Sequence, residues 1–357
     1  MTTAPLTYYV RLAGHYAAIK AAKRTNLNIA GPMLAFIEVT KACSFRCGFC
    51  DIWRATDETT DEMTYDDLLR VIADLKELGT KYVGVFGGEP LQRKDLFDVI
   101  AAMKAAGFGV VLITNGYLLP EYHDRVVRSG LDTLMVSMDS ARPELHDRLR
   151  GRRGSHARIL KGLDAVRRLS STVKLGINTI VMKPNYRELI DIVRLGTEHG
   201  VRHYRFLALN FIYPYDMRGQ QSSELALDPG EIDELSGELE SLISYCESRG
   251  VTLNSHRFLR GIPAYYHGRN EKVDCFAGFA SISIHNNGRL SFCSSLPANI
   301  GNVRETRLRD IWRSRAFNDE RTRVMSAACD KCWVSCFIDQ NHWFELGFMI
   351  RKMLAAH

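Results

Sequence analysis

From residue 34 to about 210, short apolar runs alternate with longer stretches of helical spacing. Residues 34–40, 82–86, 110–114, 131–138, 173–182 and 203–209 are short, apolar and rich in β-branched side chains, and read as buried strands. Between them, 65–78, 95–106, 120–128, 156–169 and 186–199 carry the 3.6-residue repeat. Thr64 opens the first of these, with Asp66 and Asp67 in its first turn, and Gly107 closes the second. Strands alternating with helices of this length predict parallel βαβ units. Six of them make an open sheet or a partial barrel, with the chemistry at the C-terminal strand ends.

The flanks follow other patterns. Residues 1–33 hold Tyr8, Tyr9, Val10, Leu12 and Ala13, then Lys20, Lys23 and Arg24, which predicts an amphipathic helix capping one end of the core. A membrane-surface helix is the other reading of that stretch. Residues 211–273 form a connector whose long helix, 229–249, is opened by Asp228. Beyond 274 the βα rhythm stops, and runs 281–285 and 289–293 flank Asn286-Asn287-Gly288, a hairpin signal. The segment 274–341 reads as a second, small domain too thin to fold without a metal staple. Residues 342–357 are apolar, aromatic and basic. Packing against the barrel or a second subunit is expected of them, with peripheral membrane docking as the alternative.

Composition narrows the class without naming a chemistry. The 357 residues, 46% hydrophobic and 25% charged, describe an ordinary globular protein. No run approaches the ~18 apolar residues of a membrane span, and the N-terminus lacks a signal pattern, so a cytoplasmic location is expected. There nine cysteines stay reduced, which favours metal ligation over disulfides. The net charge of +6 is modest and fits a solvated surface. Nine Lys and Arg fall between Arg142 and Arg168. Of these, Arg148, Arg150, Arg152 and Arg153 cluster before a helix N-terminus, where a phosphate or carboxylate would find charge; a solvated face is the plainer reading. Aromatic interleaving is missing from this segment, so nucleic acid is not expected as a partner.

Cys43, Cys47 and Cys50 sit in a CxxxCxxC spacing just after the first strand. Three thiolates on one loop hold three corners of an iron–sulfur cube and leave the fourth iron open for chemistry. A structural zinc site would normally close four ligands from paired spacings. Phe86-Gly87-Gly88-Glu89-Pro90 ends the second strand; its glycines allow close backbone approach to a ligand, and Glu89 can accept from an ammonium. Thr114-Asn115-Gly116 ends the third strand, Ser137-Met138-Asp139-Ser140 the fourth, and Asn178 lies inside the fifth. Each places small polar groups toward the site face, or else caps a turn or satisfies the core.

The cysteine motif, with Phe49 before its last cysteine, resembles that of the radical S-adenosylmethionine (radical SAM) enzymes, and 87–90 resembles their GGEP segment. The resemblance implies a partial (β/α)6 TIM-like barrel over roughly 34–210. It implies a 4Fe–4S cluster on Cys43, Cys47 and Cys50 whose open iron is chelated by SAM. SAM contacts are implied at Phe49, Gly87, Gly88, Glu89, Thr114, Asn115, Ser137 and Asn178. A one-electron donor such as flavodoxin or ferredoxin would reduce the cluster. The spacing Cys275-x12-Gly288-x4-Cys293, followed by Cys329-x2-Cys332-x3-Cys336, resembles the SPASM/Twitch extension of these enzymes. Five cysteines are fewer than the seven of a full SPASM domain. One auxiliary 4Fe–4S cluster is therefore expected, on Cys275, Cys293, Cys329 and Cys332, with Cys336 surplus or an alternative ligand. Zinc would also satisfy a hairpin pair plus a CxxC pair.

Cys246 has helical spacing with Leu235, Leu239 and Leu242, and is expected in the core. Its alternative role, shared with Cys336, is hydrogen-atom donation to a substrate radical. The stretch before the barrel is short for a leader-peptide-binding domain, which tilts the expected substrate toward a small metabolite. A sugar, an aminocyclitol, or a phosphorylated or nucleotide-linked compound would be oxidised or epimerised. Peptide maturation and lipid modification are the alternatives within the family, and a non-catalytic iron–sulfur or zinc protein is the rival outside it.

Overall fold

In the computed structural model the described residues are 6–54, 61–209, 224–269, 271, 273–293, 300–328 and 332–342. Six parallel strands form the centre: β1 (Leu34–Glu38), β2 (Tyr82–Phe86), β3 (Gly109–Thr114), β4 (Thr133–Ser137), β5 (Lys174–Val181) and β6 (His203–Ala208). They lie in sequence order, each paired in parallel with the next. The helices between them are α2 (Tyr65–Leu78), α3 (Leu96–Ala105), α4 (Leu119–Arg128), α5 (Pro143–Arg150), α6 (Ser155–Leu169) and α7 (Leu189–Glu198). This is the expected partial (β/α)6 barrel, and the periodicity located its strands and most of its helices.

Helix α2 shows why. Thr64 accepts from the Asp67 N–H while Asp67 accepts from that of Thr64, a capping box. Gly79, at φ 86°, closes the other end with its N–H on the Leu75 and Lys76 carbonyls. Leu68, Val71, Ile72 and Leu75 then bury one face in the core. Each such side chain removed from water is worth about 1.5–3 kcal/mol.

Two regions depart from expectation. The stretch 143–150 is helical: Pro143 starts α5, and Gly151, at φ 60°, ends it. The loop-like basic cluster is therefore largely the end of a helix. The C-terminal hairpin, β7 (Ser281–Ile284) with β8 (Leu290–Ser291), does not form a sheet of its own. β7 pairs in parallel with β1, so one eight-stranded sheet runs β6-β5-β4-β3-β2-β1-β7-β8. A buried polar chain fastens this junction: the Glu38 carboxylate, 3.3 Å from His285 Nδ1, and His285 Nε2, 2.9 Å from Ser291 Oγ.

The N-terminal helix α1 (Leu6–Thr25) packs Tyr16, Ile19 and Ala22 against Phe276, Phe279 and Ala280. It caps the entry to the C-terminal region. Helices at Pro229–Glu247, His256–Tyr266, Leu308–Arg313, Arg315–Ala328 and Ser335–His342 complete the chain, and only the first was anticipated. Cys246 is fully buried with Leu235, Leu239 and Leu242 in the main core. No helix among the described residues is long and apolar enough to cross a membrane. The tail beyond 342 lies outside those residues, as does Cys329.

Candidate active site

The C-terminal ends of the strands open on a cavity of about 360 Å3. Cys43, Cys47 and Cys50 all line it, with Phe49, Gly87, Gly88, Thr114, Asn115 and Ser137. Thus the ends of four successive strands, spread over residues 43–137, meet at one cavity. Its remaining walls are mostly apolar, including Ile113, Ile180 and Leu207, and one side is closed by Trp333 to Cys336 from the C-terminal region.

The glycines of 87–88 do something sequence reasoning assigned to a ligand. A Cβ on Gly87 would stand 2.3 Å from the Thr40 carbonyl, and one on Gly88 2.4 Å from that of Ala42. The backbone that must come close is the cysteine loop itself. Gly88 N donates to Thr40 O at 2.7 Å and Glu89 N to Ala42 O at 2.7 Å, fixing the loop's root to the end of β2.

Glu89 is buried and well held. Its carboxylate accepts from Leu91 N (2.9 Å), Thr114 Oγ1 (2.6 Å) and Asn115 N (2.7 Å). Thr114 and Asn115 therefore act first on Glu89. Burial pushes the Glu89 carboxyl above its ordinary value, and those hydrogen bonds pull it back. A bound ammonium would supply the missing countercharge. Two further polar atoms are buried without a partner: Asn115 Nδ2 and Asn178 Oδ1. Asn178 stands in register beside Ser137 on neighbouring strands but does not line the cavity. Asn115, which lines the cavity with an unmet amide donor, and the Glu89 carboxylate, which does not line it but is bonded to Thr114 and Asn115, fit a zwitterionic ligand such as SAM.

The thiols fit iron. Burial raises Cys43 to about 11 and Cys50 to about 12, and pushes Cys47 upward as well. Bare thiolates are costly here, so a metal that replaces the proton is favoured. No three His, Cys, Asp or Glu side chains among the described residues gather closely enough to hold a single metal ion.

One site residue escaped sequence reasoning. Arg150 is buried at the cavity wall, with Nε 2.6 Å from Asp139 Oδ2 and its guanidinium 5.1 Å from the Phe49 ring. The Cys47 thiol donates to its carbonyl at 3.6 Å, and Gly48 N donates to Leu149 O at 3.0 Å, so the end of α5 backs the cysteine loop. The anion expected at the N-terminus of α6 is internal. Asp147 accepts from Ser155 Oγ (2.8 Å), His156 N (3.0 Å) and Gly154 N.

In the C-terminal region, Cys275, Cys293 and Cys336 pack in one small cluster with Ala277, Phe36 and Phe337. Cys336 also lines the cavity, where burial pushes its thiol up. Cys246 does not reach the cavity.

Thiols gathered on the loop after the first strand, at the mouth of a half barrel, define a cluster-bearing enzyme. The profile of the radical SAM superfamily matches residues 37–196, and that of an iron–sulfur cluster-binding domain, SPASM, matches 275–336. The chain belongs to the radical SAM superfamily and carries a C-terminal SPASM domain. A 4Fe–4S cluster, SAM and auxiliary iron–sulfur binding come with those two domains. Among curated proteins, the AdoMet-dependent heme synthase of Methanosarcina barkeri is 29% identical over 79% of this chain and 82% of its own. The PqqA peptide cyclase of Rhizobium meliloti is 25% identical over 87% and 81%. Streptococcus suis SuiB, solved with its precursor peptide SuiA, shares the fold at a TM-score of 0.66 and 19% identity, over 87% of this chain and 71% of that one. A synthase and a peptide cyclase replace the expected sugar, aminocyclitol or nucleotide-linked substrate, and give the oxidoreductase or epimerase label no support.

Proposed function

We propose that this enzyme abstracts hydrogen from a carbon of a peptide substrate at the cavity between Cys43–Cys50 and Trp333–Cys336. When bound, the reduced cluster and SAM supply the 5′-deoxyadenosyl radical that takes the hydrogen atom. The chain's own residues hold and orient. Cys43, Cys47 and Cys50 ligate the cluster. Glu89, braced by Thr114 and Asn115, offers charge to the SAM ammonium. Ser137 presents a polar atom to its hydroxylated part, with Asn178 in register behind it, while Phe49, Ile113, Ile180 and Leu207 exclude water.

The observation that carries the peptide reading is the similarity to a peptide-acting relative over most of the chain, with the cavity as the place of reaction. About 360 Å3 is near the lower end of small-molecule sites. The PqqA peptide cyclase is that relative, and in the same fold SuiB holds a precursor peptide. A second reading, a step of heme synthesis, is favoured by the 29% identity to the heme synthase.

The packing of Cys336 with Cys275 and Cys293 supports it as an auxiliary-cluster ligand on the cavity side, in place of or beside Cys329 and Cys332. Anaerobic reconstitution should give about eight irons per chain, given two 4Fe–4S sites, and dithionite-driven 5′-deoxyadenosine from SAM. Deuterium passing from a labelled peptide into that product identifies the substrate class; transfer from a heme precursor instead would shift the assignment. Cys336→Ala should lower the iron content and alter the auxiliary electron-paramagnetic signal. Unchanged iron with lost turnover would make Cys336 a hydrogen donor.

A further inference from the structure

The outer face of the cysteine loop, away from the cavity, is basic and aromatic. Arg46, between Cys43 and Cys47, is exposed, and its Nη1 donates to the carbonyls of Cys43 and Phe45, each at 3.0 Å. Where the loop exits, the Trp53 ring carries the Arg46 and Arg54 guanidinium groups at 4.7 and 4.8 Å. Gly151 abuts this face so closely that a Cβ there would lie 2.2 Å from the Arg46 carbonyl. The turn around Gly151 adds Arg148, Arg152 and Arg153. Arg152 lies 4.6 Å from the centre of the Tyr117 ring, which in turn meets Phe45 edge-on at 5.8 Å.

The charges of this face are not spent internally. Among the described residues Arg46, Arg148, Arg152 and Arg153 have no carboxylate partner. The acids nearby are engaged: Asp51 with Arg54, Glu121 with Arg158, and Asp147 with the start of α6. Glu144, exposed in the first turn of α5, is the exception. Stacking on Trp53 and Tyr117 holds guanidinium groups extended at small entropic cost.

We propose that this face docks an acidic one-electron redox protein of the flavodoxin or ferredoxin kind, which reduces the catalytic cluster through the loop that holds it. The proposal rests on the radical SAM reading above. With SAM and substrate on the cavity side, an electron would enter through protein, and Arg46 on this face is bonded directly to the cysteine loop's backbone. The partner is oxidised by one electron and the cluster reduced by one, from the 2+ to the 1+ state; no bond or proton changes hands. An array of unpaired arginines steers an acidic partner from a distance and raises its association rate, more so at low salt.

The test is Arg148→Glu/Arg153→Glu, two exposed residues with no described side-chain hydrogen bond, in the reconstituted holoenzyme. 5′-Deoxyadenosine formation is measured with reduced flavodoxin, with reduced ferredoxin and with dithionite, each at low and high salt. We expect a fall of about tenfold or more with an acidic protein donor, loss of its salt dependence, and an unchanged dithionite rate. Arg148→Gln/Arg153→Gln should fall between, with iron content and melting temperature as in the wild type. Unchanged rates with both protein donors overturn the proposal, and so does an equal fall with dithionite, which would place the arginines in the reaction site. Tight RNA or single-stranded DNA binding abolished by the same changes would reassign the face to nucleic acid. A loaded wild type that makes no 5′-deoxyadenosine even with dithionite removes the underlying enzyme reading instead.

Discussion

The Cys43–Cys50 loop hangs from a parallel sheet and is fixed by backbone: Gly88 N on Thr40, Glu89 N on Ala42, Gly48 N on Leu149. The cysteines of the C-terminal region rest on a four-residue and a two-residue strand and are fixed mainly by side chains. Arg321, fully buried, donates to Asn26, Asn28, Asn318 and the Gly278 carbonyl. Trp333 Nε1 donates to Phe258 O at 3.0 Å, Asp339 accepts from Ser255 Oγ at 2.6 Å, and Lys23 Nζ donates to Cys275 O at 2.8 Å. Backbone hydrogen bonds that need no metal frame the first site. The second has little ladder to shape it and gains more from its cluster.

That contrast can be broken in several ways. Cys43→Ala should abolish 5′-deoxyadenosine formation while leaving the auxiliary cluster, so iron falls from about eight to about four per chain. A fall to none would mean the two sites load together. Gly88→Ala drives a methyl into the Ala42 carbonyl and displaces the loop root; SAM cleavage should drop at least tenfold, and the catalytic cluster should be lost first on dilution. Normal cleavage by that variant would show that the close approach is not needed.

Arg321→Met should act on the other region. Burial lowers its guanidinium to about 10, still charged at neutral pH, and its loss leaves several buried acceptors unmet. We expect about 2–3 kcal/mol of destabilisation and a labile auxiliary cluster, with dithionite-driven SAM cleavage retained. Equal loss at both clusters would erase the distinction.

One effect is confined to acid. Burial first, then Arg150 and His156, depress His146 to about 3, while its Nδ1 accepts from Asp139 N at 3.2 Å. The folded pKa lies below the ordinary 6.5, so its contribution is complete above that value. It is lost as pH falls from 6.5 toward 3, by about 1.4 kcal/mol per unit. His146→Gln should flatten this part of the stability profile; an unchanged slope would assign the acid sensitivity to another group.

Much of this was legible in sequence because it is local or periodic. Strand and helix spacing placed the sheet, and the cysteine and Gly-Gly spacings pointed to loops that line one cavity. Arg150 was hidden because a run of nine cations between Arg142 and Arg168 reads as solvated. Its burial depends on Asp139, met only once α5 folds back. The glycines were recognised as a close approach, but their neighbour lies a strand earlier in the chain. Pairing of β1 with β7 leaves no local trace. The small-metabolite expectation leaned on the brevity of the first 33 residues, which says nothing of what the cavity admits.

The β1–β7 pairing also bears on how the chain is made. Residues 34–38 leave the ribosome well before their partner at 281–284. Until then one side of β1 is an open edge in an otherwise assembled half barrel, and open edges recruit other strands. A contact of such long sequence separation also closes slowly. Yield of soluble protein should therefore depend on growth temperature and chaperone supply more than on the stability of the finished fold, and shortened chains ending before 281 should aggregate.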